Sequence, residues 1–307
     1  MIDKLIDKIL ELKNPTVVGL DPRLDFLPEF IIKEVQSQYI PTPSDASKAI
    51  LLFNKAIIDA IYDIVPAVKP QIAFYEQFGV DGINAYVKTI QYAKQKGLIV
   101  ISDIKRGDID STALAYAQAH LGEVAIFSDF ARPYDSDFAT INPYLGYDSI
   151  KPFIDVCKKE DKGLFILVKT SNKGSADIQN LKVDNGFVYE IVGKLVQDWG
   201  KNLIGKHGFS SIGAVVGATH PKELKSLRKL LPNTFFLVPG YGAQGGSAES
   251  IAPAFNSLAI GAIINSSRGI IAAHKEPAYS NMSFEAATRQ AAIDMRCKLQ
   301  EVLSYAK

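Results

Sequence analysis

The sequence predicts an α/β fold: a single (β/α)8 TIM barrel with insertions, in which residues 1–307 form one domain. Three observations lead to this prediction. Short apolar runs alternate with helix-like segments, which is typical of βαβ units in a parallel sheet. Several runs, such as LFILV at 164–168, are apolar at every position, as expected for strands covered on both faces. The chain has eight of these short, mostly apolar runs, which is the number of strands that closes this kind of barrel.

The eight predicted strands are short, mostly apolar segments, each followed by small or polar residues. In chain order they are Thr16–Leu20, Ala67–Pro70, Leu98–Lys105, Ala139–Tyr144, Leu164–Thr170, Ile212–Ala218, Thr234–Pro239 and Ile260–Asn265. Long polar stretches at 22–48, 171–190 and 239–252 are interpreted as loops and additional helices, because none has the composition of a flexible linker. Apolar residues at helical spacing predict an N-terminal helix and a C-terminal helix, Phe284 to Tyr305, both packed on the barrel.

Composition and charge argue against several classes of protein. The 34 Lys and Arg residues nearly balance the 33 Asp and Glu residues, so there is no basic excess for a nucleic acid or a membrane surface. Two cysteines, Cys157 and Cys297, are too few for a disulfide framework or a cysteine-rich zinc site. No apolar run approaches the ~18 residues of a membrane span, and charges interrupt the N-terminal segment, unlike a signal peptide. We therefore expect a soluble, cytoplasmic protein, and its four histidines lack the spacing of a metal site.

The end of the third predicted strand carries an unusual set of charges. Side chains alternate along a strand, so Asp103 and Lys105 share one face, which we expect to point into the mouth of the barrel. Lys69 ends the neighbouring strand and Asp108 follows in the loop, which completes an alternating Lys–Asp–Lys–Asp array. One interpretation is a salt-bridge network that closes the mouth. The other is catalysis, because a positioned ammonium and a fixed carboxylate suit loss of CO2 and protonation of the resulting carbanion.

The segment FFLVPGYGAQGG (235–246) and Arg268 indicate an anion site. Gly240, Gly242 and Gly245 have G-x-G-x-x-G spacing, but a dinucleotide-binding site needs an acidic residue about 20 positions further on, where SLAIGAII has none. In barrels, the loops after the seventh and eighth strands often bind phosphate through backbone N–H groups. Arg268 would add a bidentate cation to such a site. The alternative is a set of turn glycines beside a surface arginine.

Taken together, these motifs resemble the orotidine 5′-phosphate decarboxylase family. DIKRGDIDST (103–112) matches the D-x-K-x-x-D-I-x-x-T signature of the family. Other matching segments occur in the family's order, and the resemblance spans about residues 16 to 270. They are GLDPR, VKPQIAFYEQFG, NPYLGYDS, LVKTSNKGS, VVGATHPKEL, VPGYGAQGG and NSSRG. The sequences of these segments and the long insertions are similar to the type 2, bacterial long form of the family.

The resemblance implies decarboxylation of orotidine 5′-monophosphate to UMP and CO2, the final step of de novo UMP biosynthesis, without metal or organic cofactor. It implies that Lys105 donates the proton to C6 of the pyrimidine and that Asp103 lies beside the departing carboxylate. Lys69 would hold the array and contact the ribose. Asp108 and Thr112 would reach into the site of a partner subunit, so the enzyme would be an obligate homodimer.

The resemblance also implies a set of substrate-binding residues. Asp21, which the residues alone leave open between a turn residue and a hydroxyl-binding carboxylate, would bind a ribose hydroxyl. Ser171 would hydrogen-bond the pyrimidine ring, with its neighbour Thr170 as the alternative. Gln244 and Arg268 would hold the phosphate, and the loop after the seventh strand would close over it.

Two rival functions fit part of the same evidence. Decarboxylases and synthases that act on hexulose phosphates share a D-x-K-x-x-D strand but use a magnesium ion, so activity in a chelator discriminates. A non-catalytic barrel that retains the nucleotide pocket would bind ligand without releasing CO2.

Overall fold

The computed structural model describes residues 1–36, 40–184, 186–242 and 245–303. At its centre, parallel strands close into a barrel in which each strand pairs with the next and the last pairs with the first. The strands are β1 (Thr16–Leu20), β2 (Ala67–Pro70), β3 (Ile99–Arg106), β4 (Phe138–Ile141), β5 (Gly163–Lys169), β6 (Ser210–Val216), β7 (Thr234–Val238) and β8 (Ala262–Ser266). The predicted (β/α)8 barrel is therefore confirmed.

Helices surround the strands and follow most of them along the chain. They are α1 (Ile2–Leu12), α2 (Glu29–Val35), α3 (Pro43–Ile61), α4 (Ala73–Glu76), α5 (Gly79–Gln95), α6 (Asp110–Leu121), α7 (Tyr147–Glu160), α8 (Ala176–Gln179), α9 (Val188–Gly200), α10 (Pro221–Leu230), α11 (Ala248–Ile251), α12 (Arg268–Ile271) and α13 (Phe284–Leu303). Among the described residues, none of these helices is long and apolar enough to span a lipid bilayer.

Alternation along the strands separates two apolar layers. All five residues of β7 are buried. Phe235 and Leu237 belong to a cluster inside the barrel, whereas Phe236 and Val238 belong to the larger layer between the barrel and its helices. This burial on both faces accounts for the continuous apolar runs in the sequence.

α1 closes the end of the barrel at which the strands begin. Its buried residues are Ile2, Leu5, Ile6 and Ile9. They form one cluster with inward-facing aromatic residues such as Phe138, Phe165 and Phe235. The backbone N–H of Ile2 donates to Ser211 Oγ on β6 at 3.3 Å. The opposite end, where the strands finish, is left open for a site.

The C-terminal helix α13 packs against α3 on the outside of the barrel. The rings of Phe53 and Phe284 stack with centroids 5.1 Å apart, and the Arg289 guanidinium pairs with Asp63 at 2.7 Å. The helix was predicted over Phe284 to Tyr305; the structure describes it to Leu303, and residues 304–307 lie outside the described part of the chain.

The long polar stretches contain the expected extra elements. The stretch at 22–48 holds α2 and the start of α3, and the stretch at 171–190 holds α8 and a hairpin of Lys182–Val183 with Gly186–Phe187. A second hairpin, Val124–Ile126 with Asp129–Ala131, was not predicted. The fourth strand was predicted to run to Tyr144 but ends at Ile141, because Asn142 caps the turn and Pro143 has no N–H for a strand ladder.

Candidate active site

The open end of the barrel contains a cavity of about 660 Å³. Side chains at the ends of all the barrel strands or on the loops that follow them line it. They include Asp21, Arg23, Lys69, Asp103, Lys105, Thr140, Leu167, Thr170, Ser171, Gln179, Val215, Leu237, Tyr241, Asn265, Ser267 and Arg268. A cavity at this end of the strands is where such barrels carry their reacting groups.

Three of the four charged residues predicted at the strand ends meet on the cavity floor. Asp103 Oδ2 accepts from Lys69 Nζ at 2.7 Å, and Asp103 Oδ1 accepts from Lys105 Nζ at 2.5 Å. The side chains of Lys69 and Asp103 are only 6% and 8% exposed, whereas that of Lys105 is 45% exposed. The array therefore has a buried half, which is fixed by the protein, and a lysine that reaches into the cavity.

The array keeps its charges in spite of burial. Burial by itself would raise the pKa of Asp103, but the ammonium groups of Lys69 and Lys105 outweigh it and hold that pKa well below its usual range. Burial likewise opposes the charge on Lys69, and the carboxylates of Asp103 and Asp21 outweigh it, so that the pKa of Lys69 is raised. Both groups are ionised at neutral pH.

The backbone departs from a regular strand at Lys105, where side-chain alternation had been expected to continue. Lys105 has φ +47°, and the register of β3 against β4 shifts between Ser102 and Arg106. A non-glycine residue in this left-handed conformation costs about 1–3 kcal/mol and persists only where its surroundings hold it. Thr140 on β4 supplies the contacts: its Oγ1 accepts from the N–H groups of Ile104 at 3.0 Å and Lys105 at 3.1 Å.

Sequence reasoning did not single out Thr140. It is buried, it lines the cavity, and its hydroxyl donates to Asp103 Oδ1 at 2.8 Å. The available signal was positional: Thr140 is two residues after Phe138, which faces the barrel interior, in a strand whose other residues are apolar.

The floor is polar on one side and apolar on the other. Opposite the charged array, Leu167 on β5, Val215 on β6 and Leu237 on β7 line the cavity. The cavity floor therefore offers an apolar wall on one side and charged groups on the other.

Thr170 and Ser171 follow β5 and both line the cavity, but the hydroxyl of Thr170 is bonded to other protein groups. Gln179 Oε1 accepts from the Thr170 N–H at 2.9 Å, and Gln179 Nε2 donates to Thr170 Oγ1 at 2.9 Å. The Thr170 hydroxyl also donates to Asn172 Oδ1 at 2.7 Å. Among the described residues the Ser171 hydroxyl has no such partner, so it is the group left free for a ligand.

A glycine makes the close approach of Ser171 possible. A Cβ at Gly217, which follows β6, would lie 2.7 Å from the Ser171 Cα. Gly217 is therefore required for the backbone of the two loops to lie side by side.

The residues predicted to form an anion site follow β7 and β8. Gly240, Gly242 and Gly245 all have positive φ, the left-handed conformation that glycine adopts at little cost in turns. Arg268 lines the cavity and is 65% exposed, with Glu276 Oε1 3.9 Å from its guanidinium. Gln244 was also expected here, but Ala243 and Gln244 lie outside the described residues.

Asp21 lies at the β1 side of the cavity, and its Oδ1 is buried without a hydrogen-bond partner among the described residues. Such an oxygen is an acceptor for a ligand hydroxyl. In contrast, Asp108 and Thr112 do not line the cavity of their own chain. Asp108 Oδ1 accepts from the N–H of Ile109, and Thr112 is an exposed residue of α6.

The described residues contain no cluster of three or more His, Cys, Asp or Glu side chains suited to a metal ion. Cys157 is buried and Cys297 is exposed, and both are free thiols.

Comparison with known proteins shows the family to which the chain belongs. Residues 44–281 match the model of the Orotidine 5′-phosphate decarboxylase / HUMPS family. Over 302 residues the chain is 44% identical to the orotidine 5′-phosphate decarboxylase of Clostridium perfringens strain 13, covering 98% of each chain. The OMP decarboxylase of Leishmania donovani superposes with a TM-score of 0.75 at 30% identity, covering 99% of this chain and 98% of that one. The UMP synthase of Leishmania donovani superposes with a TM-score of 0.76 at 32% identity, but this chain spans only 56% of that longer protein.

Proposed function

The chain belongs to the orotidine 5′-phosphate decarboxylase / HUMPS family, and from this premise we propose that it is a carboxy-lyase that converts orotidine 5′-monophosphate to UMP and CO2. The observation that carries the proposal is the hydrogen-bonded array of Lys69, Asp103 and Lys105 on the floor of the cavity. Relatives that match the chain over nearly its full length bear the name of this decarboxylase, which favours it over the hexulose-phosphate branch of the family.

In the proposed reaction, the bond between C6 of the pyrimidine and the carboxylate carbon breaks. The electron pair stays on C6, and CO2 leaves. Lys105 then transfers a proton to C6 and gives UMP. Asp103, whose pKa is held low, stays ionised beside the substrate carboxylate, and their repulsion is relieved as CO2 departs. No cofactor is needed in this scheme.

The size of the barrier decides which residues must contribute. The reaction requires a lowering of up to ~23 kcal/mol, at the upper end of what enzymes reach. General acid catalysis by Lys105 supplies about 10²–10⁴-fold, which is only about 3–5 kcal/mol. Interactions with the ribose and the phosphate, realised more strongly in the transition state, must therefore supply much of the rest.

We assign those interactions to the other cavity residues. Asp21 accepts from a ribose hydroxyl, with Lys69 beside it, and Ser171 hydrogen-bonds the pyrimidine. Arg268, together with Gln244, holds the phosphate. Support comes from the buried free oxygen of Asp21, the free hydroxyl of Ser171 and the exposure of Arg268 to the cavity.

We also propose a homodimer in which Asp108 and Thr112 complete the partner's site. Both residues lie outside the cavity of their own chain, which supports a role elsewhere. Two apolar side chains on the same segment, Ile109 and Leu114, are exposed at 48% and 39%. Exposed apolar side chains next to Asp108 and Thr112 suit a contact between two identical surfaces. The free thiols of the chain suit a reducing compartment such as the cytoplasm.

A single assay tests the reaction. The purified protein is mixed with orotidine 5′-monophosphate in excess chelator, and the ultraviolet spectrum is followed as the orotate chromophore becomes that of UMP. Rapid conversion by the wild type but not by Lys105→Ala is expected. Conversion only after magnesium is restored would move the chain to the sugar-phosphate branch. Tight binding of UMP without conversion would instead indicate a non-catalytic barrel.

A further inference from the structure

We propose that Thr140 is a positioning residue of the catalytic array: its hydroxyl holds the Asp103 carboxylate and the left-handed backbone at Lys105 in one arrangement. The catalytic role of the array rests on the proposed function, whereas the contacts of Thr140 do not depend on it.

The hydroxyl of Thr140 is fully used. A threonine hydroxyl offers one donor and two acceptor positions. The donor is directed to Asp103 Oδ1 at 2.8 Å, and the two acceptor positions take the N–H groups of Ile104 at 3.0 Å and Lys105 at 3.1 Å. With all three positions filled inside a buried strand, the hydroxyl has one orientation.

These bonds join two features that the proposed chemistry needs together. The first is the carboxylate of Asp103, whose Oδ1 also accepts from Lys105 Nζ. The second is the backbone of Lys105 at φ +47°, a conformation that lysine rarely adopts unless it is held. One side chain on the neighbouring strand β4 therefore sets both ends of the short link from Asp103 through Ile104 to Lys105.

The contacts of Thr140 require a hydroxyl group and not only a side chain of the same volume. Valine has nearly the shape of threonine, so Thr140→Val would keep the packing of β4. It would leave the N–H groups of Ile104 and Lys105 without their acceptor and remove one of three donors to Asp103. Serine would keep all three bonds at the cost of one methyl group.

The test compares Thr140→Val and Thr140→Ser with a matched control, Thr16→Val. Thr16 is a fully buried threonine on β1, at the other end of the barrel, and its hydroxyl has no partner among the described residues. We expect Thr140→Val to lower kcat about 10- to 100-fold with KM for orotidine 5′-monophosphate little changed. Thr140→Ser and Thr16→Val should stay within about threefold of the wild type.

A crystal structure of Thr140→Val provides a readout that does not depend on turnover. The expected result is that Lys105 leaves the left-handed region, or that the Asp103 and Lys105 side chains separate beyond hydrogen-bond distance. Retention of both features, or a kcat equal to the wild type, would overturn the proposal. Equal losses in Thr140→Val and Thr140→Ser would assign the effect to packing and overturn it as well. If the wild type failed to convert the substrate, the proposed function would fall, and the crystal structure alone would decide the role of Thr140.

Discussion

The two ends of the barrel differ in chemistry although the same strands build them. At the end closed by α1, the interior is apolar: Ile6 of the helix contacts a layer that includes Phe138 and Phe165. At the open end, charged and polar side chains enter the interior on one side, with Asp103 following Ile101 on β3 and Thr140 following Phe138 on β4, while Leu167, Val215 and Leu237 keep the other side apolar. On β3 and β4, a step of two residues along the strand thus separates an apolar core position from a charged or polar position in the cavity.

The groups that cost stability lie at the open end of the barrel. Lys69 and Asp103 are buried charges, and Lys105 has a strained backbone, so none of them is there for stability alone. The apolar layer and α1 beneath them supply the burial that lets these features persist. Substitutions at the open end should therefore change turnover and leave the fold intact, and substitutions at the closed end should do the reverse.

Substitution of Lys105 or Asp108, two charged residues of the DIKRGD motif, should abolish the reaction. Lys105→Ala should lose turnover by about 10⁴-fold, the upper range for a general acid, and still bind UMP. Asp108→Ala should also be inactive, although its side chain lies outside the cavity of its own chain. Mixing the two inactive variants should restore activity, because one hybrid site contains both intact residues. The measurement is kcat after subunit exchange has been verified, and no recovery would count against the shared site.

Arg268→Ala should lower kcat/KM for orotidine 5′-monophosphate by about 10²–10³-fold, because a charge-assisted, bidentate contact to phosphate is lost. The loss should vanish with orotidine, which lacks the phosphate: the variant and the wild type should then react equally. Arg289→Ala, which removes an arginine paired with Asp63 outside the barrel, is the control for a general effect of charge. An unchanged kcat/KM in Arg268→Ala would show that the phosphate site is misassigned.

At the closed end, Ile6→Ala should lower the free energy of unfolding by about 2–5 kcal/mol, because Ile6 is fully buried beneath the barrel. Chemical denaturation measures the loss. Its matched control is Leu10→Ala in the same helix, where the side chain is 38% exposed and the loss should be below about 1 kcal/mol. Below the unfolding transition, kcat should be unchanged in both variants. A drop in kcat with Ile6→Ala would break the division between the two ends.

The difference between the strands and the open end also determines which features could be predicted from the sequence. The bounds of β1 and β2 were predicted to the residue, because each is a short, mostly apolar segment that is preceded by a proline and followed by a polar residue. The array of Lys69, Asp103 and Lys105 could be predicted because charges at the ends of apolar strands are conspicuous. Thr140 and the bulge at Lys105 could not, since both depend on the register between β3 and β4, which no local pattern encodes.

Two neighbouring residues on the loop after β5, Ser171 and Thr170, should differ modestly in their contribution to kcat/KM. Ser171→Ala should lower kcat/KM about 10-fold, the value of one neutral hydrogen bond to the pyrimidine. Thr170→Val should have a smaller effect on kcat/KM, because its hydroxyl is bonded to Gln179 and Asn172 and does not need to reach the ligand. Steady-state kinetics on both variants distinguishes them, with thermal unfolding as a check that the loop is intact. If Thr170→Val were the more damaging to kcat/KM at unchanged stability, the contact to the ring would belong to Thr170, and Gln179 would be orienting a ligand-binding hydroxyl.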